Sequence, residues 1–285
     1  MKQWRKILIS LLAGIFLFSV VMMIRQQFHY QKIIADGEEV KQIAGLEENK
    51  TPGAYHPNTP AEPEGTEAIP IFTENPKEEM ECLPDDLADL AAIDLLELRN
   101  FNTDVVGWIS IPDTKISYPL MQGEDNQYYL SHNWKDESSG GGSVFLESTN
   151  DKELTDFHTI AYGHRMGNDT MFGSLKYYRD WSYWREHPNV YVVLDDVIYC
   201  YSIFSAHEAS VKGIVYRLDM QENQLEEEFL QHCLESSVIS TDLTPKPDDR
   251  ILTLSTCTGN GYANRWVVHG VLTHKYTREQ AQIDE

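Results

Sequence analysis

The sequence predicts a mainly β domain, a barrel or sandwich of eight short strands, behind an apolar N-terminal helix. Three observations carry this. From Asp104 onward, short segments alternate apolar and polar residues and are separated by turns. Two stretches in that region switch to a helical period instead. Near the start, Ile7 to Ile24 form 18 consecutive uncharged, mostly apolar positions.

The elements follow in order. The apolar run is just long enough to span a bilayer. Basic residues precede it, as in a secretory signal, but no small-x-small cleavage site follows Ile24. An uncleaved signal-anchor over residues 7–24 is therefore expected. Lys2, Arg5 and Lys6 crowd the short first segment, which the positive-inside rule keeps in the cytoplasm as residues 1–6. The rest of the chain then lies outside the cell. Residues 25–44 can extend the helix on a thin apolar pattern. From Gly45 to about Met80, six prolines alternate with Glu, Thr and Gly, and there is little to bury. Residues 25–83 therefore read as a stalk, extended and disordered through its proline-rich part.

Pro84 opens a helix with Leu87, Leu90, Ala91, Leu95 and Leu98 on one stripe, predicted to lie across the domain of residues 84–277. Predicted strands cover 105–111, 115–120, 143–147, 158–162, 189–194, 197–206, 251–257 and 265–275. Between them, Met171 to Glu186 and Gln221 to Val238 carry apolar residues at helical spacing. Residues 278–285 are a C-terminal tail.

Composition narrows the function. Residues 1–32 hold five basic residues and no carboxylate. The remainder carries 18 of the 23 basic residues and all 45 acidic ones, a formal charge of −27. A nucleic-acid-binding protein needs a basic footprint, so that class is excluded. No Cys-x-x-Cys or His-Glu-x-x-His pattern occurs, and no metal site is expected. Of the four cysteines, Cys200 lies inside an apolar strand and reads as a small buried hydrophobe. A Cys82–Cys233 bridge stays open, because sequence alone does not decide it.

The chemistry concentrates at Leu254-Ser255-Thr256-Cys257, with Arg265 eight residues later. This puts a thiol at the end of one strand and a permanent positive charge at the start of the next. Nearby positive charge favours the reactive thiolate and can stabilise an oxyanion when sulfur attacks a carbonyl. The bland reading of Cys257 is a thiol packed at a strand end. Its place at the barrel mouth, just before the Thr258-Gly-Asn-Gly261 turn, favours reaction instead. Among ten histidines, His164 ends the strand His158-Thr-Ile-Ala-Tyr-Gly-His164. His158 sits a strand length away, His269 four residues deeper than Arg265, and His187 in a turn before Pro188. His164 is therefore the candidate base. Arg265 stays protonated and cannot take that role.

Thr253-Leu-Ser-Thr-Cys257 with Arg265, Ala161-Tyr-Gly-His164, and Val106-Gly-Trp-Ile-Ser-Ile-Pro112 with Tyr118-Pro119 resemble class B sortases. So do Asp125-Asn-Gln-Tyr-Tyr-Leu130, Gly142-Ser-Val-Phe145 and Thr170-Met-Phe-Gly-Ser-Leu175. The resemblance spans roughly residues 85 to 276, in the family's order. It implies a closed eight-stranded barrel with a long helix between strands 6 and 7. It also implies a cysteine transpeptidase without a cofactor. Such an enzyme cleaves an Asn-Pro-x-Thr-type sorting signal of a surface protein through a thioester on Cys257. The acyl group then passes to an amine of a peptidoglycan precursor or a pilin lysine. By motif position Asn126, Leu130 and Ser255 line the signal-binding groove. Each also has a plainer reading, as turn residue, core residue and strand hydroxyl. Thr258 stands where the family often has an acidic residue, so a contact from that site is in doubt.

Two other classes remain. A cysteine protease of another fold would hydrolyse peptides with the same dyad, although papain-like enzymes place Cys before His and the caspase signature is absent. A non-catalytic wall-binding barrel would bind a sorting peptide without cleaving it.

Overall fold

In the computed structural model, residues 2–46, 85–220, 223–259 and 261–283 are described. The proline-rich part of the expected stalk lies outside them, as does Cys82. Eight strands form β1 (Val105–Ser110), β2 (Ser117–Met121), β3 (Val144–Leu146), β4 (His158–Tyr162), β5 (Asn189–Val193), β6 (Val197–Ser210), β7 (Ile251–Cys257) and β8 (Asn264–Thr277). They close in the order β1-β2-β3-β4-β7-β8-β6-β5. The β2–β3 and β4–β7 pairs are parallel and the others antiparallel. All eight predicted strands are present, and closure leaves no free sheet edge.

Strand alternation sorts the side chains. Leu252 and Leu254 of β7 point into the barrel with Leu120, Leu146, Phe172 and Val268. Ile251 of the same strand points outward, where α5 (Asn223–Ser236) covers it with Phe229 and Leu230. This is the expected helix between strands 6 and 7. A third apolar layer packs Trp108, Phe145 and Tyr191 beneath α2 (Asp85–Ala91) and α3 (Leu95–Phe101).

Three expectations change in detail. The helix expected across 84–98 is two helices. Asp94 starts the second by accepting the Glu97 N–H at 2.8 Å, while Ile93 between them is fully buried. The stretch 171–186 is likewise a 3-10 turn over 173–179 followed by α4 (Trp181–Glu186). Asp180, in extended conformation, accepts the Ser182 N–H at 3.0 Å. The expected tail is α6 (Arg278–Ile283), where Arg278 donates to the carbonyls of Ala91 and Ile93.

A further finding concerns residues 25–46. Helix α1 runs unbroken from Lys2 to Ile43, so residues 25–43 continue the helix of the apolar run. Its thin apolar stripe is used, with Ile33, Val40 and Ala44 all buried against the domain. The apolar window of α1 is long enough to cross a membrane, and none of it is buried.

Beneath α5 lie three buried histidines: His158 on β4, His207 on β6 and His269 on β8. The Thr253 hydroxyl bridges His158 Nε2 (2.7 Å) and His269 Nδ1 (2.8 Å), and His207 stacks on His269. Burial pulls His158 and His207 down to about 4, and His269 well below its ordinary value. These rings fold neutral, while in the unfolded chain they titrate near pH 6.5. Their contribution to stability is fully present above that pH and is lost as pH falls toward 4. Each should cost about 2 kcal/mol between pH 6.5 and 5. Urea unfolding at pH 7 and pH 5 checks this; an unchanged free energy would mean the rings are solvated.

Candidate active site

Strand register assembles the site. Cys257, the last residue of β7, pairs directly with Arg265 on β8. On the other side of β7, parallel pairing sets Tyr162 of β4 against Ser255. Continued by two residues, that register brings His164 level with Cys257. Two bonds hold the continuation, Gly163 N–H to the Ser255 carbonyl (3.2 Å) and Thr256 Oγ1 to the Gly163 carbonyl (2.7 Å). A side chain at 163 would collide with the Phe172 ring, whose nearest atoms lie 2.7 Å from where its Cβ would sit. Glycine is required there for close approach, and it lets Phe172 seat the strand end.

The His164 imidazole is half-buried, and its Nε2 lies 2.7 Å from the Leu130 carbonyl oxygen. A carbonyl only accepts, so Nε2 carries the proton and Nδ1 is the nitrogen left to exchange one. Cys257 is partly exposed, between the buried Thr256 and Thr258. Its β7 face is the outer one shared with Ile251 and Thr253, so the thiol opens beside the barrel wall rather than into its mouth. Arg165 ties down the loop behind it through the Thr258 carbonyl. Arg265 Nη1 donates to the carbonyls of Tyr262 and Asn264 at 3.0 Å each. Its Nε and Nη2 have no hydrogen-bond partner among the described residues, and so remain available to an anion.

The three expected groove residues are placed differently from one another. Leu130 is 42% exposed, not core, and lies beside His164 through its own carbonyl. Ser255 is buried, and its hydroxyl is 2.8 Å from the Tyr216 hydroxyl. Asn126 stands further back. Its amide donates to Glu147 Oε1 (2.6 Å) and accepts from the Ser148 N–H (2.8 Å), which fastens the segment carrying Leu130. Glu147 also accepts the Tyr162 hydroxyl at 2.8 Å, directly before Gly163 and His164.

Tyr216 and Glu147 escape sequence reasoning. Tyr216 comes from a 3-10 turn (Ile214–Tyr216) far from the other site residues in the chain, with no motif around it. Burial pushes its phenol up to about 12; the Ser255 bond and the charge of Arg265 oppose that, and Cys257 adds to it. It therefore lies within electrostatic reach of both thiol and guanidinium. Glu147 carries a weak signal, as a carboxylate ending an apolar strand. Among the described residues no group of His, Cys, Asp and Glu is suited to hold a metal ion.

A thiol, an imidazole and a guanidinium with free N–H groups, at the adjoining ends of three strands, form a set suited to acyl transfer. The comparisons agree. The sortase domain model matches residues 109–273. Sortase B of Listeria monocytogenes is 36% identical over 184 residues, covering 64% of this chain and 75% of that protein. Sortase B of Staphylococcus aureus is 34% identical over 160 residues, covering 56% and 66%. Among solved structures, a Staphylococcus aureus sortase B–substrate complex superposes with a TM-score of 0.60 at 32% identity, over 63% of this chain and 84% of that one. Clostridium perfringens sortase B does so with a TM-score of 0.60 at 30% identity, over 64% of this chain and all of that one. With barrel, domain match and relatives in agreement, this chain belongs to the sortase family and is a class B sortase, a cysteine transpeptidase.

Proposed function

We propose that Cys257, His164 and Arg265 carry out the transpeptidation on a C-terminal sorting signal of the Asn-Pro-x-Thr type. The observation that carries this is the direct pairing of Cys257 with Arg265, with His164 at the adjoining strand end. The Cys257 thiol passes its proton to Nδ1 of His164, and the thiolate attacks the carbonyl carbon of the signal's Thr. Arg265 balances the charge on the resulting oxyanion. As the C–N bond breaks, His164 gives a proton to the departing amine, leaving an acyl-thioester. An incoming amine, from a peptidoglycan precursor or a pilin lysine, loses its proton to His164 and attacks the thioester; the C–S bond breaks and the Cys257 thiolate is restored beside protonated His164. Water in place of the amine gives hydrolysis, the peptidase side of the same reaction. Every group needed is on the chain, so no cofactor enters.

Leu130 and Ser255, flanking His164 and Cys257, line the signal's path in this reading, and Asn126 shapes it through the Leu130 segment. Residues 7–24 anchor the protein with residues 1–6 in the cytoplasm and the domain of 84–277 outside the cell. The experiment is a panel of sorting peptides incubated with and without a soluble amine such as triglycine or an N-acetyl-lysine amide. Cleavage after Thr, with an amine-dependent ligated product, is expected. Binding without cleavage would instead identify a receptor barrel, and cleavage with no ligated product under any amine a hydrolase.

A further inference from the structure

Helix α1 has contacts that neither the barrel nor the chemistry requires. From Leu11 to Ile24 it is apolar and unburied; from His29 onward one stripe lies on the domain. The first contacts are His29 on Gly140 and the Tyr30 hydroxyl, 3.0 Å from where a Cβ of Gly167 would sit. Gly167 is three residues beyond His164. The turn of Gly140 is tied to the Leu130 segment by the bonds Ser139 N–H to Ser131 (2.8 Å) and Ser143 N–H to Tyr129 (2.9 Å). Farther along, Asp36 meets Asn133 and Glu39 pairs with Lys135. At its end the Ala44 carbonyl accepts the Asp94 N–H at 3.0 Å, at the α2–α3 junction.

That junction is at the other end of the barrel from the thiol. Strand β8 begins at Asn264, beside Arg265, and ends at Thr277, where Arg278 seizes Ala91 and Ile93. Fourteen residues of strand span about 45 Å. From His29 to Ala44, about 22 Å of helix, α1 thus runs along the barrel away from its catalytic end and toward the α2–α3 junction. Only about 8 Å of helix separates Ile24 from the first contact at His29.

From this placement we propose that the catalytic end of the barrel faces the membrane surface at close range, with α2, α3 and α6 turned away from it. The partner of that end is the lipid headgroup layer, and Arg25 and Lys32, both exposed on α1, stand at its level. In this orientation a sorting signal emerging from the same membrane meets Cys257 without climbing the height of the domain. The proposal rests on reading residues 7–24 as a membrane anchor. Tilting the helix changes the angle of the domain but not the order of its two ends.

The test uses the full-length chain in phosphatidylglycerol–phosphatidylcholine vesicles carrying acceptor dye on the headgroups. Both samples carry Cys82→Ala; one has donor dye on Cys257, and the second has it on Leu96→Cys in a Cys257→Ala background. Leu96 lies on α3 and is 72% exposed. Energy transfer is expected to be strong from position 257 and weak from position 96. Equal transfer, or stronger transfer from 96, in protein that floats with the vesicles overturns the orientation. Protein that fails to float overturns the anchor reading itself, a distinct result. A second arm inserts seven helix-forming residues after Arg25, lifting the domain by about 10 Å. Cleavage of a vesicle-tethered sorting peptide should fall about tenfold, as the effective concentration of substrate at the site falls. Cleavage of the free peptide should stay within about twofold. Unchanged tethered cleavage would also overturn the proposal.

Discussion

Cys257→Ala is expected to leave no measurable cleavage of a sorting peptide while the barrel stays folded. Alanine fits the half-open site without strain but supplies no nucleophile, and among the described residues a thioester has no other accessible thiol to form on. Cys200 and Cys233 are buried at 3% and 0% exposure. Burial also raises both thiols, Cys233 the more strongly, which disfavours the attacking thiolate. Cys200→Ala should therefore keep its activity, with lower stability from lost packing. Peptide turnover and far-ultraviolet circular dichroism check both variants together. Normal turnover in Cys257→Ala would end the mechanism outright.

The second large effect is at Arg265. Lysine preserves the charge but loses the planar fork, which can hold an oxyanion while Nη1 keeps the carbonyls of Tyr262 and Asn264. Arg265→Lys should slow acylation by about 10²–10³-fold, the usual cost of one oxyanion donor. Arg265→Ala should be slower still, because it also removes the charge facing Cys257 across the β7–β8 pair. The alkylation rate of Cys257 at neutral pH separates the effects: the alanine variant should react more slowly than the wild type, and the lysine variant should not. Near-wild-type turnover in Arg265→Ala would reduce this residue to a loop tie.

The strands were readable because each buries one face, and a period of two leaves its mark in the sequence whatever surrounds it. Closure of the barrel was not readable this way; it depends on pairings such as β6 with β8, whose partners run from Ser210 with Asn264 to Val197 with Thr277. The broken helices at 92–94 and 180 were missed because an apolar stripe can run through a cap without changing its period. Asp94 and Asp180 were the only local signs, and aspartate is common on helix surfaces. The docked half of α1 was faint for a different reason. Its first partners, facing His29, Tyr30 and Ile33, are Gly140, Gly167 and Gly141, which let the helix approach closely but add nothing to an apolar pattern.

At the site, Cys257 and Arg265 could be seen because they are near in sequence, and His164 because it ends a strand. Tyr216 and Glu147 act through distant partners, so nothing beside them in the chain announces the contact. Asn126 shows the limit of motif position. The residue sits where the family pattern sets it, but its amide is spent on Glu147 and Ser148, so its reach toward a peptide runs through the segment it fastens. The buried histidines show the same limit in reverse. His158 and His269 are set aside as bases by strand position alone, and only the fold reveals them as a buried neutral pair joined by Thr253.

The central claim is a covalent acyl-enzyme on Cys257. Its most direct measurement is the intact mass of the protein after rapid quenching in acid with a sorting peptide and no added amine. The account predicts an adduct of the mass of the peptide up to and including its Thr, mapped to Cys257 by fragmentation and discharged when an amine is added. Peptide cleaved at full rate with no adduct on Cys257, or with the adduct on another residue, would contradict it.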